Sequence, residues 1–574
     1  MIFNAVIVEL FFWTLFLVLN YLNYVINYVF YKDKSHFLPY ISDFRKSQKL
    51  PIIGSANLDP FRYSIEISIF LIISRIYDLK AGALTLTILF LLTLFFNLYQ
   101  YVIRRIYETE PVLFNDLKLI KNAVVIVWSE SKIKVVVSGL LALLFFYTVF
   151  HFFDWFLKFN YGLGTNSFFL SLSFLWILGP LFSVIRLRGF YTRYPNDIYL
   201  RYHFVTVEIL MNVIRSIKNY RLARTKIGEK YASKRVEIDL GKVHTFPNIF
   251  FLFIESYGSF FFKEQSIRDT SFSDLNRLQN NLKSKGYKCV SSFSESTTTG
   301  GQSWLTYSSA LFGHRIDNNT LFENYLRDEV FRNSNSLLRI LKNYGYTNYN
   351  LNPINPINGI NVPYKEMREM YAIDRWILNE DINYRGDAYG FGACAPDQYS
   401  LNFTIDLIKR EAKEPFTLFY LTKNSHSPFI TPPIVDDWTD LNNGGSQVHI
   451  HKGFLKYPEI KDYQNAVRYE YEVLGRFIKD HGSDDDVFIL LGDHQPPMLA
   501  KPDIHGLSTP VHIVSKDQSF LDEFLAYGFK PDLAEVDSEI RHESFYSIFL
   551  NAFGNQYSND FKNIPNYEPE GIKL

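Results

Sequence analysis

SSFSESTTTGGQSWLTYSSALFG, residues Ser291 to Gly313, passes from a strand-like apolar run through small hydroxyl residues and two glycines into a run with helical character. Ser303 sits on that hinge. A hydroxyl in the first turn of a helix lies among unpaired backbone N–H groups at the positive end of the dipole, where an alkoxide or a phosphate is favoured. Gly300 and Gly301 would let a phosphate approach the backbone. Taken alone, the same composition also describes an ordinary Ser/Thr-rich loop capping a helix.

Two other stretches bear on that choice. NIFFLFIESYG (Asn248 to Gly258) and DDVFILLGDHQPP (Asp485 to Pro497) each contain a short, continuous apolar run ending in acidic or imidazole groups. Such runs suit strands buried on both faces. Glu255 ends the first, and Asp493 with His494 ends the second. In open α/β sheets, sites form beyond the carboxyl ends of strands, so these groups are expected to converge with Ser303. Two carboxylates, an imidazole and a hydroxyl make a shell for a divalent cation, zinc or manganese first and magnesium as a third choice.

The stretches IESYG, GGQSWLTYSSALFG, TKNSHSPF and LLGDHQPP, in that order, resemble the sulfatase-like branch of the alkaline phosphatase superfamily. They look most like its membrane-anchored members: lipoteichoic acid synthases, phosphoglycerol transferases and phosphoethanolamine transferases. The resemblance implies metal ligands at Glu255, Asp493 and His494 and a metal-bound nucleophile at Ser303. It implies substrate contacts at Gln302 and at His426, the latter on phosphate or the leaving oxygen. His505, in a loop before TPVHIVS, is a weaker candidate for the same pocket or a second metal. Two departures bear on the chemistry. The transferases usually carry threonine where this chain has Ser303, which keeps the chemistry but weakens any inference about substrate. True sulfatases need a C/S-x-P-x-R setting, whereas Ser303 is followed by Trp304, Leu305, Thr306 and Tyr307, which argues against sulfate ester hydrolysis.

The 59 Lys and Arg balance the 59 Asp and Glu, and no basic tract occurs, so a nucleic-acid partner is not indicated. Cys289 and Cys394 lack CxxC spacing and exclude a disulfide framework. They form either a single bridge, if the domain is extracytoplasmic, or two unpaired thiols. Nothing in the composition speaks to oligomeric state.

Apolar residues concentrate toward the N-terminus. Asn4 to Tyr31, Ile65 to Leu79, Ala81 to Ile103, Val135 to Leu157 and Ser167 to Ile185 are candidate membrane spans, the second weakened by its length and by Glu66 and Arg75. The first lacks the short apolar region and small-residue cleavage site of a signal peptide. The loops from Lys32 to Arg62 and from Arg104 to Lys134 each carry six Lys or Arg, so the positive-inside rule puts both in the cytoplasm, and the C-terminal region with them. The resemblance implies the opposite: a multi-pass inner-membrane protein with an extracytoplasmic catalytic domain. That layout is preferred here, because interfacial helices hold basic residues at head groups on either side.

The expected organisation is a transmembrane domain of about five helices over residues 1–190, an amphipathic juxtamembrane helix and linker over 191–245, and a sulfatase-like α/β domain over 246–574. Val207, Leu210, Ile214 and Ile217 mark one apolar stripe, which suits either a helix lying on the membrane or a linker helix packed on the domain. Within the α/β domain, strands are expected at Ile249–Ile254, Lys288–Phe293, Thr347–Leu351, Thr417–Leu421, Val487–Leu491 and Val511–Val514. Helices are expected at Ser303–Leu311, Ser336–Asn343, Leu401–Ala412 and Tyr463–Asp480. Alternation of this kind argues for a mostly parallel sheet with helices on both faces. His512 lies within a strand and reads as core; His449 and His451 read as a solvated loop, or as metal ligands if they stand on a strand edge.

No Ser-His-Asp order or G-x-S-x-G elbow is visible, so an activating metal is the economical route to a serine nucleophile. The expected reaction is transfer of a phosphorylated alcohol, phosphoglycerol or phosphoethanolamine, from a membrane phospholipid donor to a glycan or lipid acceptor through a phosphoserine ester. The alternative is a membrane-bound phosphodiesterase or phosphatase with water as acceptor.

Overall fold

The computed structural model describes residues 6–12, 14–15, 65–77, 82–107, 112–114, 116–117, 132–162, 205–225 and 238–572, the last without 355–362, 391, 412–414, 444–447, 451–457 and 534–538. The chain divides into two compact units, Met1–Arg105 with Glu110–Ile217, and Ile106–Thr109 with Lys218–Leu574.

The first unit contains α1 (Ile65–Ile76), α2 (Gly82–Tyr107) and α3 (Lys132–Gly162), and α4 (Val205–Thr225) begins in it. Among the described residues, one helical stretch, Val135–Tyr161, is long and apolar enough to cross a membrane, and Leu140, Leu141, Leu143 and Leu144 on it are exposed. In α2 the apolar part is shorter, Gly82–Phe96. The expected span at Ser167 to Ile185 and most of that at Asn4 to Tyr31 lie outside the described residues. Arg75, which weakened the second candidate, is buried and paired with Glu9, so its charge is met inside the unit. Phe12, Leu71, Leu86, Phe90, Phe153 and Phe156 form the core around it.

Helix α4 turns its apolar stripe outward. Leu210, Met211, Ile214 and Ile217 are exposed, while Asn212 and Ser216, one turn apart, are buried and accept from the backbone N–H groups of Leu113 and Phe114 at 3.0 and 3.4 Å.

The second unit is built on nine strands: β1 (Ile249–Ile254), β2 (Lys288–Glu295), β3 (Thr347–Asn352), β4 (Arg375–Leu378), β5 (Phe416–Leu421), β6 (Val487–Gly492), β7 (Ser508–Ser515), β8 (Lys530–Pro531) and β9 (Glu539–Arg541). Their order is β8-β2-β7-β6-β1-β5-β3-β4, with β9 beside β2. From β6 to β4 every pairing is parallel. The sheet is nevertheless mixed, because β7 runs antiparallel to both β6 and β2 and β8 runs antiparallel to β2. A strand buried on both faces carries the same apolar signature in either direction, so the sequence pattern does not report this reversal.

Alternate residues of β1 enter opposite layers. Phe251 and Phe253 join Ile489, Leu491 and Ile513 against the helices Ser303–Phe312 (α5) and His542–Tyr557. Phe250, Leu252 and Ile254 join Phe488, Leu490 and Leu418 against Arg268–Lys283, Asp397–Glu411 and Ile460–His481. This is a three-layer α/β/α arrangement, and the two-residue side-chain period of the strands produces it.

Candidate active site

Glu255 follows the last residue of β1, and Asp493 and His494 follow the last residue of β6. The two strands are adjacent, parallel and in register at Ile254 and Gly492, which brings the three side chains to one sheet edge. Ser303 opens α5, entered from β2 through the hydroxyl-rich loop. Ser303 Oγ lies 3.1 Å from Glu255 Oε2 and 3.3 Å from His494 Nε2. His494 Nε2 lies 3.4 Å from Glu255 Oε1 and 3.3 Å from Asp493 Oδ2. All four residues are buried.

Close backbone approach makes this convergence possible. A Cβ on Gly492 would stand 2.0 Å from the Tyr257 carbonyl oxygen, and one on Gly258 would stand 2.1 Å from Gln495 Oε1. Only glycine fits where the two loops cross. Asp493 Oδ1 accepts from the N–H groups of Ser256 (2.7 Å) and His494 (2.6 Å), and the Thr422 hydroxyl accepts from Glu255 N–H at 3.0 Å. Ser256 Oγ donates to Glu255 Oε1 at 3.0 Å.

The electrostatics are those of a cation site. Burial, together with the neighbouring Glu255 charge, pushes the Asp493 carboxyl well above the usual range. Burial alone would raise Glu255 too, but the electrostatic pull of the groups around it, Lys423 among them, with the Ser256 hydrogen bond, outweighs it and leaves Glu255 below its ordinary value. Burial lowers His494 against the pull of Glu255, so the ring is neutral. His494 Nδ1 stands 2.8 Å from the Gln495 carbonyl oxygen, a contact that requires the proton on Nδ1. The Nε2 lone pair then faces the oxygens of Glu255 and Asp493, an arrangement that either a proton on Asp493 or a bound cation relieves. Asp493 Oδ2 is buried and makes no hydrogen bond. Glu255, Asp493 and His494 each offer one donor atom, all within 4.8 Å of one another. The residues therefore fit a divalent ion.

Glu255 and Ser303 open into a cavity of about 220 Å³ whose walls include Trp304, Tyr307, Asn350, Asn352, Trp376 and Phe419. His426 and Lys423 line the same cavity, with His426 Nδ1 held 2.6 Å from the Ser427 carbonyl oxygen. Gln302 does not line it. Its backbone is left-handed (φ 60°), and its Oε1 accepts from Asn319 Nδ2 at 2.8 Å. His505 is also absent from the cavity wall and from the metal-ligand group. Its Nδ1 accepts from Lys501 N–H at 2.8 Å, its ring meets Phe260 edge-on, and Nε2 faces Glu264 at 3.8 Å.

His512 is core, placed between Ser291 Oγ (2.7 Å) and Tyr257 Oη (3.0 Å), and burial lowers it to about 3. His449 is not in a bare loop: it stands on a two-stranded ladder with Nε2 2.7 Å from the Gly390 carbonyl oxygen. His451 is outside the described residues. Cys289 and Cys394 are buried thiols outside any disulfide, and burial raises each to about 12. Lys423 and Thr422 were not singled out by the sequence pattern. Lys423 sits inside TKNSHSPF, three residues before His426, and that cation is the signal that could have found it.

The structure is thus an open α/β sheet with a serine at a helix start and a buried N,O-donor cluster at its strand ends. Residues 247–524 match the family model described as sulfatase. Structural neighbours belong to the lipoteichoic acid synthase, phosphoglycerol transferase and phosphoethanolamine transferase families of the alkaline phosphatase superfamily. The integral membrane protein lipooligosaccharide phosphoethanolamine transferase A from Neisseria meningitidis is 13% identical over 95% of this chain and 96% of its own, with a TM-score of 0.50. The lipoteichoic acid synthase LtaP from Listeria monocytogenes is 18% identical over 47% of this chain and 65% of its own, with a TM-score of 0.33. A phosphoglycerol transferase from Streptococcus pyogenes, in complex with sn-glycerol-1-phosphate, is 11% identical over 61% and 86%, with a TM-score of 0.35. No curated protein matches the chain.

Proposed function

We propose that the chain is a metal-dependent phosphotransferase that moves phosphoglycerol or phosphoethanolamine from a membrane phospholipid to an envelope glycan or lipid, by way of an ester on Ser303. The observation that carries the reading is the Ser303 hydroxyl in the first turn of α5, 3.1 Å from Glu255 and 3.3 Å from His494, opening on a cavity that also presents Lys423 and His426. Glu255, Ser303, Asp493 and His494 would hold a zinc or manganese ion; magnesium, which prefers all-oxygen shells, suits the imidazole less well. When bound, such an ion lowers the pKa of a hydroxyl and neutralises phosphoryl charge.

The protein's own groups supply the rest. Ser303 Oγ attacks phosphorus, its bond to the head-group phosphate forms, and the bond from phosphorus to the diacylglycerol oxygen breaks. Lys423 and His426 hold the phosphate oxygens, and the first turn of α5 adds its amide dipoles. An acceptor hydroxyl then attacks the same phosphorus and releases Ser303. The apolar helix Val135–Tyr161 and the outward stripe of α4 support attachment to a membrane, with the catalytic unit on the extracytoplasmic side where lipid donor and envelope acceptor meet.

The test is covalent trapping. Incubated with phosphatidylglycerol or phosphatidylethanolamine and no acceptor, the protein should carry the phosphorylated head group on a peptide containing Ser303. Ser303→Ala should abolish turnover, while Ser303→Thr should retain part of it. An adduct on Thr299 would move the nucleophile. No adduct, with Ser303→Ala fully active, would end the covalent route.

A further inference from the structure

Behind the Lys423–His426 loop lies a second pair of acids that the mechanism above does not use. Asp397 opens the helix Asp397–Glu411, and Glu470 lies in the middle of Ile460–His481; both are fully buried. Asp397 grips the loop: its Oδ2 accepts from the N–H groups of Lys423 (2.8 Å) and Asn424 (2.9 Å), and its Oδ1 accepts from the Tyr420 hydroxyl. Asn424 returns the contact, accepting from Asp397 N–H at 2.7 Å through its side-chain oxygen. On the far side, Glu470 faces the Asp397 carboxyl and Ser425. Ser425 supplies donors to Glu470, but two carboxylates have none for each other, so the contact with Asp397 becomes a hydrogen bond only when one of the two holds a proton. The loop is also coupled to the metal-ligand side: Ser425 Oγ lies 3.2 Å from Thr422 Oγ1, which accepts from Glu255 N–H.

We infer that Asp397 and Glu470 are positioning residues, a carboxyl pair sharing one proton that fixes the loop and so sets Lys423 and His426 against the phosphate. The inference rests on the phosphotransferase reading for its functional arm, and on the burial of both acids and the grip of Asp397 on the loop for the pair itself. Two ionised carboxylates in contact, with no cation bonded to either, would repel one another in a low-dielectric interior. With one proton the pair carries a single charge, which suits the three donors on Asp397. Around it stand Tyr420, Tyr469 and Cys394, neutral at physiological pH, and Lys423 beyond its own backbone. Burial, then the Asp397 charge, raises Glu470 well above its ordinary value; burial also raises Asp397, against the opposing pull of its bonds to Glu470, Tyr420 and the loop.

The experiment has two arms on the full-length, metal-loaded protein. In the first, an infrared difference spectrum at neutral pH, wild type minus Glu470→Gln, should show the C=O stretch of a protonated carboxyl. Its absence would show both acids ionised and overturn the shared proton. In the second, KM is read for the phosphodiester probe bis(p-nitrophenyl) phosphate, with binding of inorganic phosphate by calorimetry alongside. Glu470→Gln keeps a donor toward Asp397 and should keep the wild-type KM. Glu470→Leu fills the space without a donor, and should raise KM roughly tenfold, as expected for losing a charge-assisted hydrogen bond, with a melting temperature no lower than wild type. A purely structural role would lower the melting temperature of the Leu variant and leave the KM of whatever folds unchanged. A wild-type KM in the Leu variant, or a KM equally raised in the Gln variant, would overturn the positioning role. A wild type that turns over no diester would count against the phosphotransferase reading, and the infrared and phosphate-binding arms would still decide this one.

Discussion

Removing the metal should make stability depend on pH in a direction that Asp493 fixes. In the metal-free protein its buried carboxyl, raised by burial and by Glu255, holds a proton that the unfolded chain would release near pH 4. A native pKa above the unfolded one means that the folded state binds the extra proton. The group's contribution is therefore fully present below the unfolded pKa and is lost as pH rises toward the native one. Each pH unit in that window costs about 1.4 kcal/mol. At about 2.1 cal/mol/K of unfolding entropy per residue, a domain of about 330 residues shifts by about 1.5 °C per kcal/mol, so the melting temperature should fall by about 2 °C per pH unit. Glu255 is shifted the other way, so its contribution is lost only as pH falls through the acid range, and of these two carboxyls only Asp493 gives a slope above pH 5. With a divalent ion bound, both carboxylates stay ionised and the slope should vanish. The assay is thermal unfolding of detergent-solubilised protein between pH 5 and 8, with chelator and with added zinc. Other buried acids, Asp397 and Glu470 among them, add slopes of their own, so the quantity to read is the difference between wild type and Asp493→Asn. The amide should remove the metal-free slope, raise metal-free stability at neutral pH and abolish metal retention. Equal slopes in the two chelated proteins, or no effect of chelator on the wild type, would refute the argument.

Gly492→Ala places a Cβ 2.0 Å from the Tyr257 carbonyl oxygen, a backbone atom without freedom to move aside. Thermal unfolding should show a loss of about 1–3 kcal/mol, and metal analysis a weakened site, because β6 and the loop after β1 must separate. A reporter fused after Leu574 should be active outside the cytoplasm; activity confined to the cytoplasm would remove the lipid-donor reading and leave the metal cluster standing.

The strands were legible where the chain is apolar without interruption. Ile249–Ile254 is observed with the expected bounds, and the other five expected strands lie within the observed ones, extended by one to four residues. Three features were not legible. Arg375–Leu378 is four residues at the sheet edge, too short to carry a period. Arg268–Lys283 is polar overall, and only Leu275, Leu278 and Leu282 mark its buried stripe. His542–Tyr557 is buried on nearly every side, so no amphipathic contrast betrays it. At the site, Glu255, Ser303, Asp493 and His494 could be anticipated as a group because each ends a strand or opens a helix at one edge of the sheet. The proximity of Gln302 and His505 in sequence or motif carried no such guarantee: Gln302 is bound to Asn319, and His505 to Lys501 and Phe260. The α4 stripe was visible as a period, but not which way it would face, because that depends on two polar residues meeting backbone N–H groups about a hundred positions away.

The two residues that aim the cluster are strained. Ser256, directly after Glu255, and Gln302, directly before Ser303, are both left-handed, at φ 58° and 60°. Such conformations cost about 1–3 kcal/mol each for residues other than glycine. Local bonds offset the cost. Ser256 donates its N–H to Asp493 and its hydroxyl to Glu255, and its carbonyl oxygen accepts from Tyr463 Oη at 3.0 Å. The Gln302 carbonyl oxygen accepts from Leu305 N–H at 2.9 Å, and its side chain accepts from Asn319. Glycine would remove the strain at both positions, but at Ser256 it would also delete a donor to Glu255, and at Gln302 it would free the turn from the Asn319 and Trp304 contact on the cavity wall. The strain is therefore coupled to the placement of Glu255 and Ser303: each side chain is held by the bonds that make its neighbour's backbone tolerable. A hydroxyl fixed this way needs little reorganisation when charge develops on it, which is the condition under which buried donors and dipoles act most strongly.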